Sequence, residues 1–141
     1  MAISAVAANG EVRLPKLLSS HMVIERDRPV HLWGWADVNE TVTAMLNGAT
    51  QSSTADRYGH WSLYLPPQAA GGPFEIKISG SNQIVLSDVL SGDVWFASGQ
   101  SNMEMPLAGF PGAAIKNSAA EISQANQPAI RLLLVQKKAS A

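Results

Sequence analysis

The feature that most constrains the fold is a series of short segments in which apolar and polar residues alternate. Residues 60–65 place three apolar side chains on one face and then meet two prolines, which cannot continue a hydrogen-bonded ladder. Residues 74–79 repeat the alternation, with three apolar side chains on one face and two charges on the other. A period of two is typical of strands that bury one face. With similar segments at residues 30–35, 41–46 and 84–86, it predicts a β-sandwich of jelly-roll or immunoglobulin-like type over residues 12–90.

The chain is long enough for this domain and for part of a second one. It has 141 residues, of which 46% are hydrophobic and 15% are charged, so it can bury a core. Asn47-Gly48 predicts a two-residue hairpin after the segment 41–46, because both residues tolerate positive φ.

The pattern changes near residue 90. Residues 94–97 are apolar on both faces, as in a strand of a parallel sheet, and residues 112–126 are rich in alanine and predict a helix. Residues 130–135 then predict a second buried strand. The order strand, turn, helix, strand is that of the first βαβ unit of an α/β fold, here over residues 91–141. Two strands and one helix cannot bury both faces of a parallel sheet, so we expect this second domain to be incomplete.

A serine lies at the turn after the first of these strands. Gly99 permits a tight turn, which would place Ser101 at the carboxyl edge of a sheet with the next backbone N–H groups facing a substrate. That is the arrangement of a serine nucleophile with an oxyanion donor. Gly-x-Ser alone is a weak signal, and an ordinary loop serine is the more frequent explanation of so short a pattern.

A longer resemblance changes this balance. The string Gly99-Gln100-Ser101-Asn102-Met103-Glu104-Met105-Pro106, preceded by Gly92-Asp93-Val94-Trp95, closely resembles the nucleophile block of the sialate O-acetylesterase family, a branch of the SGNH (GDSL-like) hydrolases. The upstream segments 14–23, 28–36, 55–61, 65–67 and 70–73 resemble the N-terminal β-domain of the same family, in the same order and spacing. The likeness covers roughly residues 12–107 and fades beyond Pro106.

The resemblance implies a serine esterase that removes O-acetyl groups from sugars such as sialic acid or xylan. Ser101 would be the catalytic nucleophile, and Ser101, Asn102 and Gln100 would form the oxyanion and substrate-binding group. Asn102 has an equally good alternative role as the cap of the following turn. Glu104 and Asp93 fit structural roles better than catalytic ones.

The general base is the missing part of this site. The family pattern implies an Asp-x-x-His pair far downstream, whereas the three histidines, His21, His31 and His60, all precede Ser101. Asp27 to His31 and Asp56 to His60 each have one residue too many for that pair. We therefore expect the remainder of the same hydrolase, for example as a second chain, to supply the His and Asp.

The tryptophans support a second class of function. Trp33, Trp35 and Trp61 would suit a non-catalytic carbohydrate-binding module, because aromatic faces stack on sugars. Packing in the core is the simpler interpretation, since Trp61 shares its face with Leu63 and Leu65. A purely structural domain that supports the catalytic sheet is the preferred role of residues 12–90. Solvent exposure of the rings distinguishes these interpretations.

Other classes of protein fit poorly. The net charge is −1 without a basic stripe, which argues against nucleic acid and anionic membranes as partners. The sequence has no cysteine, no cluster with metal-ligand spacing and no nucleotide-binding glycine motif, so no cofactor is expected. No stretch approaches the ~20 apolar residues of a transmembrane helix. Residues 1–10 have the composition of a signal-peptide remnant, which predicts a periplasmic or secreted protein.

Overall fold

The computed structural model describes residues 10–135, and the chain divides into two compact units between Val94 and Trp95. The described part of the first unit contains seven strands, and that of the second contains a short 3-10 helix, Ser101–Glu104, and one α-helix, α1 (Ser118–Gln124). The strands are β1 (Val23–Glu25), β2 (Val30–Trp35), β3 (Thr41–Leu46), β4 (Ala49–Thr54), β5 (His60–Leu65), β6 (Gly71–Ser79) and β7 (Gln83–Gly92).

The strands of the first unit form two sheets around one core. The larger sheet has the order β1-β7-β6-β3-β4, in which β1 pairs with β7 in parallel and the other neighbours are antiparallel. The smaller sheet pairs β2 with β5 antiparallel, and β5 also packs beside β3 and β4. Both sheets contribute to a single buried cluster, which includes Leu32, Leu65, Val42, Leu46, Ile76, Ile78 and Val89. The prediction of a mainly β N-terminal part is confirmed.

Alternation along the strands sets which face is buried. In β5 the side chains of Trp61, Leu63 and Leu65 are buried, as predicted, and in β6 Ile76 and Ile78 are buried. On the outer face of β6 the Lys77 ammonium lies 3.1 Å from the Glu75 carboxylate.

The core interpretation is right for Trp61 but wrong for Trp35. In β2 the inward positions are taken by Val30, Leu32 and Gly34, so Trp33 and Trp35 project from the opposite face. Trp35 is 37% exposed and Trp33 is half-buried at the margin of the core.

The hairpin prediction is confirmed, and it leads to a strand that the alternation did not predict. Asn47 and Gly48 have φ values of 51° and 81°, and they join Leu46 to its register partner Ala49. The new strand β4 is polar after Ala49 and lies at the edge of its sheet, so it carries no buried alternating face. β1 was missed because three residues are too few to show a period.

The predicted βαβ unit is not formed by the described residues. Residues 94–97 and 130–135 have no strand structure, and most of their large apolar side chains are exposed. A strand exists only where a neighbour takes its N–H and C=O groups, and no described strand pairs with either segment. The predicted helix 112–126 is shortened to α1, since Phe110 and Ala113 close a turn and Asn117, at φ 60°, interrupts the helix on its N-terminal side. Among residues 10–135, no helix has the length and apolar character needed to cross a membrane.

The Glu40 carboxylate stabilises the turn before β3, which predicts that the stability of the fold depends on pH. One Glu40 oxygen accepts a hydrogen bond from the Ser81 N–H, and the other accepts one from the Asp37 N–H at 2.9 Å. These two backbone donors, Ser81 first, hold the pKa of Glu40 below its ordinary value. A carboxyl whose folded pKa is lowered stabilises the fold above its unfolded pKa of about 4.3 and loses that contribution as the pH falls through the folded value.

We therefore expect Glu40→Gln to lower the free energy of unfolding at pH 7 by on the order of 1 kcal/mol, with the difference from wild type shrinking towards pH 3. Urea unfolding at several pH values between 3 and 7 measures it. Glu75→Gln removes a carboxylate from the outer face of β6 and is the matched control. Parallel stability curves for wild type and Glu40→Gln would contradict the assignment.

Candidate active site around Ser101

Ser101 is exposed and is the first residue of the 3-10 helix Ser101–Glu104. The turn is closed by the Met103 N–H, which donates to the Gln100 carbonyl oxygen at 2.9 Å. The structure thus places the predicted nucleophile on a short ordered turn.

Gly99 has a steric reason to be glycine. A Cβ at this position would lie 2.7 Å from Cγ of Met103, which is closer than carbon atoms approach without displacement. The absence of a side chain lets Met103 fold back over the backbone that precedes Ser101. The glycine of this motif therefore makes the turn compact by permitting close approach.

The turn leaves backbone donors at its start. In a 3-10 helix each N–H bonds to the carbonyl three residues earlier, and here the first such donor is Met103. The N–H groups of Ser101 and Asn102 precede it and are not used within the helix. They are groups of the type that an oxyanion requires. Gln100 is exposed directly before Ser101, and the substrate-binding roles assigned to Gln100 and Asn102 remain predictions.

Asp93 is occupied by an ion pair in the first unit. Its carboxylate accepts a hydrogen bond from Arg26 Nε at 2.7 Å, and this contact raises the pKa of Arg26. Arg26 also donates its backbone N–H to the Gly92 carbonyl. The pair fixes the end of β7 and gives Asp93 a structural role, in line with its predicted role.

Two histidines with an aspartate nearby in sequence form no carboxylate–imidazole contact. Nε2 of His31 lies 2.8 Å from the Ser62 hydroxyl oxygen, whereas Asp56 accepts the backbone N–H groups of His60 and Tyr58 at 2.9 and 2.8 Å. The pKa of Asp56 is lowered by these donors, His60 first. Asp56 thus stabilises the turn before β5.

His21 forms the pair that sequence reasoning missed. Its Nδ1 lies 2.6 Å from Asp88 Oδ2, and both residues have positive φ, 66° and 53°. The two residues are 67 positions apart, so no spacing motif could reveal the contact. Beside it the Ser20 hydroxyl accepts the Ser87 N–H at 3.0 Å. These hydrogen bonds connect the loop before β1 to the irregular part of β7 around Asp88. All of these residues belong to the first unit.

Several known proteins are similar to this chain in sequence and in fold. No protein-family model matches the chain. The sialate O-acetylesterase of Mus musculus is 32% identical over 108 residues, covering 68% of this chain and 20% of that protein, and the Homo sapiens protein is 30% identical over 107 residues, covering 67% and 20%. The crystal structure of a novel carbohydrate acetylesterase from Xanthomonas citri matches with a TM-score of 0.76 and 36% identity, covering 84% of this chain and 26% of that one. This chain belongs to the sialate O-acetylesterase family.

Membership of the family confirms the resemblance seen in the sequence. The similarity extends over only part of each relative. The chain spans about one fifth of the length of the curated sialate O-acetylesterases that it matches, and about one quarter of the solved acetylesterase. Most of each relative therefore lies outside the matched region. Within the described residues of this family member, no three His, Cys, Asp or Glu side chains are grouped as metal ligands.

Proposed function

We propose that this chain is part of a carbohydrate O-acetylesterase and supplies its nucleophile, Ser101. The observation that carries the proposal is the similarity to relatives named as acetylesterases. The position of Ser101, exposed at the start of a short helix with backbone donors beside it, agrees with that role. The substrate class would be an O-acetylated sugar, such as acetylated sialic acid or xylan.

The reaction proceeds through an acetyl-enzyme. A general base removes the proton from Oγ of Ser101 as Oγ attacks the acetyl carbonyl carbon. The N–H groups of Ser101 and Asn102, with Gln100 beside them, stabilise the negative oxygen of the tetrahedral intermediate. Its collapse breaks the bond to the sugar oxygen, which receives the proton and leaves as the sugar hydroxyl. Water then attacks the acetyl-enzyme by the same steps, and acetate is released.

The base and its carboxylate would come from the remainder of the hydrolase. Each histidine of the chain lies in the first unit, where two of them have side-chain hydrogen bonds of their own and the third lies among aromatic rings. We propose that the remainder, as further residues or as a second chain, supplies an oriented His and Asp. No nucleic acid or membrane takes part in this function.

Exposed apolar segments in the second unit support such a complement. Trp95 and Phe96 are 88% and 91% exposed, and Leu132 is 94% exposed. Side chains of this type become buried when neighbouring strands pair with the segments that carry them. We propose that residues 94–97 and 130–135 become strands of the first βαβ unit of an SGNH-like sheet, and that residues 12–90 form a β-sandwich.

Measuring ester hydrolysis tests whether the nucleophile and the general base lie on different parts of the hydrolase. The 141-residue chain alone should hydrolyse 4-nitrophenyl acetate and acetylated xylan at close to the uncatalysed rate, whereas the protein purified with its complement should hydrolyse both. Mass spectrometry of the purified sample identifies any polypeptide that accompanies the chain. Ser101-dependent hydrolysis by the 141 residues alone would show that the assignment of the base to the remainder is wrong.

We also propose that the protein is exported to the periplasm or secreted. The support is the composition of residues 1–10, of which residues 1–9 lie outside the described structure. Fractionation of the cells that make the protein, followed by N-terminal sequencing, tests this location.

A further inference from the structure

The outer face of the smaller sheet is built almost entirely from rings. Strand register places His31 opposite Tyr64, Trp33 opposite Ser62, and Trp35 opposite His60. These six side chains lie on the outer face, since their neighbours on the same strands are the buried ones, and five of them are exposed while Trp33 is half-buried at the margin of the core. A solvent-facing sheet surface ordinarily carries charged and small polar residues. We call this surface the aromatic face.

The rings are held in place by one another. The His31 ring stacks on Trp33 with centroids 4.8 Å apart and on Tyr64 with centroids 4.4 Å apart, at interplanar angles of 26° and 11°. The contact between His31 Nε2 and the Ser62 hydroxyl fixes the imidazole within this stack. At the other end Trp35 meets the edge of the His60 ring at 6.5 Å. A surface ordered before binding loses little side-chain entropy when a ligand arrives.

The chemistry of the face selects the kind of ligand. None of its six positions carries a carboxylate, an ammonium or a guanidinium, and none is aliphatic. Protein interfaces are enriched in Met and Arg as well as in aromatic residues, and none of the six positions carries Met or Arg. A sugar ring has apolar C–H faces and a rim of hydroxyls. Its C–H groups match the exposed rings of Tyr64 and Trp35, and its hydroxyls match the imidazole and hydroxyl groups beside them. The row from residue 31 to residue 35 extends about 13 Å, long enough for more than one sugar ring.

Exposure leaves the face available. Tyr64 is 59% exposed and Trp35 is 37% exposed, and the adjoining Tyr58, 66% exposed with the Arg57 guanidinium 4.7 Å from the centre of its ring, extends the surface beyond His60. Large aromatic side chains that are exposed together on one surface indicate a binding site, whereas single exposed ones do not.

We propose that the aromatic face binds neutral oligosaccharides. This site lies entirely within the first unit, and it is a binding site separate from the chemistry assigned to Ser101. It would hold a polysaccharide chain on the protein without cleaving it.

Titration with unacetylated xylohexaose and cellohexaose tests the proposal, because neither carries an ester. The full chain and its Ser101→Ala variant should both show saturable binding by calorimetry, with a change in tryptophan fluorescence. Tyr64→Ala and Trp35→Ala should each weaken binding about tenfold, since loss of one stacking ring has an effect of that order. Tyr64→Phe keeps the ring and should retain most of the affinity. Phe110→Ala, an exposed aromatic position in the second unit, is the matched control and should leave binding unchanged.

Several results would overturn the proposal. One is the absence of saturable binding by the wild-type chain up to about 10 mM sugar. Another is undiminished binding by Tyr64→Ala and Trp35→Ala variants that keep the wild-type circular dichroism spectrum. A third is a dimer, seen by sedimentation, that Tyr64→Ala dissociates, which would assign the face to contact between copies. Since Ser101→Ala leaves the face intact, failure of the esterase proposal would show as unchanged acetate release with sugar binding retained.

Discussion

Replacing Ser101 with alanine is expected to lower kcat/KM for acetyl ester hydrolysis by the complete protein at least about 10³-fold. The variant lacks the oxygen that forms the acetyl-enzyme, so only the effects of binding and of the oxyanion donors remain. Ser101 is exposed and begins a helix of four residues, so the fold and its unfolding temperature should not change. Initial rates on acetylated xylan and on an O-acetylated sialoside measure the loss.

Ser98→Ala is the control for this substitution, because Ser98 is an exposed serine three residues earlier on the same segment. It should keep activity within about twofold of wild type, as expected for a surface position without a chemical role. Rapid quenching followed by mass spectrometry should find an acetyl group on the peptide containing Ser101 in wild type. Full activity of Ser101→Ala, or an acetyl group on another residue, would contradict the nucleophile assignment.

The sequence predicted the first unit well because its signal is local. Alternation in β5 and β6 reports directly which side chains are buried, and Asn47-Gly48 fixes a turn through the φ values of two residues. The same reasoning failed for Trp35. Trp35 is hydrophobic, but the alternation along β2 places residues 31, 33 and 35 on the outer face.

The second unit shows what a local pattern cannot supply. An apolar segment such as residues 130–135 has the composition of a strand, but its structure depends on neighbours that pair with it. Prediction of the candidate site is limited in the same way, because contacts between distant residues leave no local pattern. The motif around Ser101 predicts a nucleophile, whereas the contact between His21 and Asp88 joins residues 67 positions apart and is visible only in the folded chain.

The largest effect on stability is expected from Gly34→Ala. Gly34 lies in β2 where the N-terminal segment forms an antiparallel bridge with the strand, with Arg13 and Trp35 exchanging backbone hydrogen bonds of 2.8 and 2.9 Å. A Cβ at Gly34 would overlap the Arg13 carbonyl oxygen and would lie 3.1 Å from Cζ2 of the buried Trp61. Neither group can move freely, because the carbonyl accepts one of those bonds and the indole is packed in the core. The glycine between two tryptophans is therefore required by close approach of backbone.

We expect Gly34→Ala to lower the free energy of unfolding by about 3 kcal/mol or more, at the upper end of what overpacking causes. This is a large part of the 5–15 kcal/mol that stabilises a typical domain, so the midpoint of urea unfolding should fall markedly. Gly92→Ala is the matched control, since a Cβ there would meet only Cγ1 of Val23 at 3.7 Å, an ordinary contact. A Gly34→Ala protein as stable as Gly92→Ala would show that the Arg13 carbonyl does not approach β2 closely at this residue. If instead Gly34→Ala unfolds at lower urea concentration while Gly92→Ala does not, the bridge between Arg13 and β2 is part of what closes the core around Trp61.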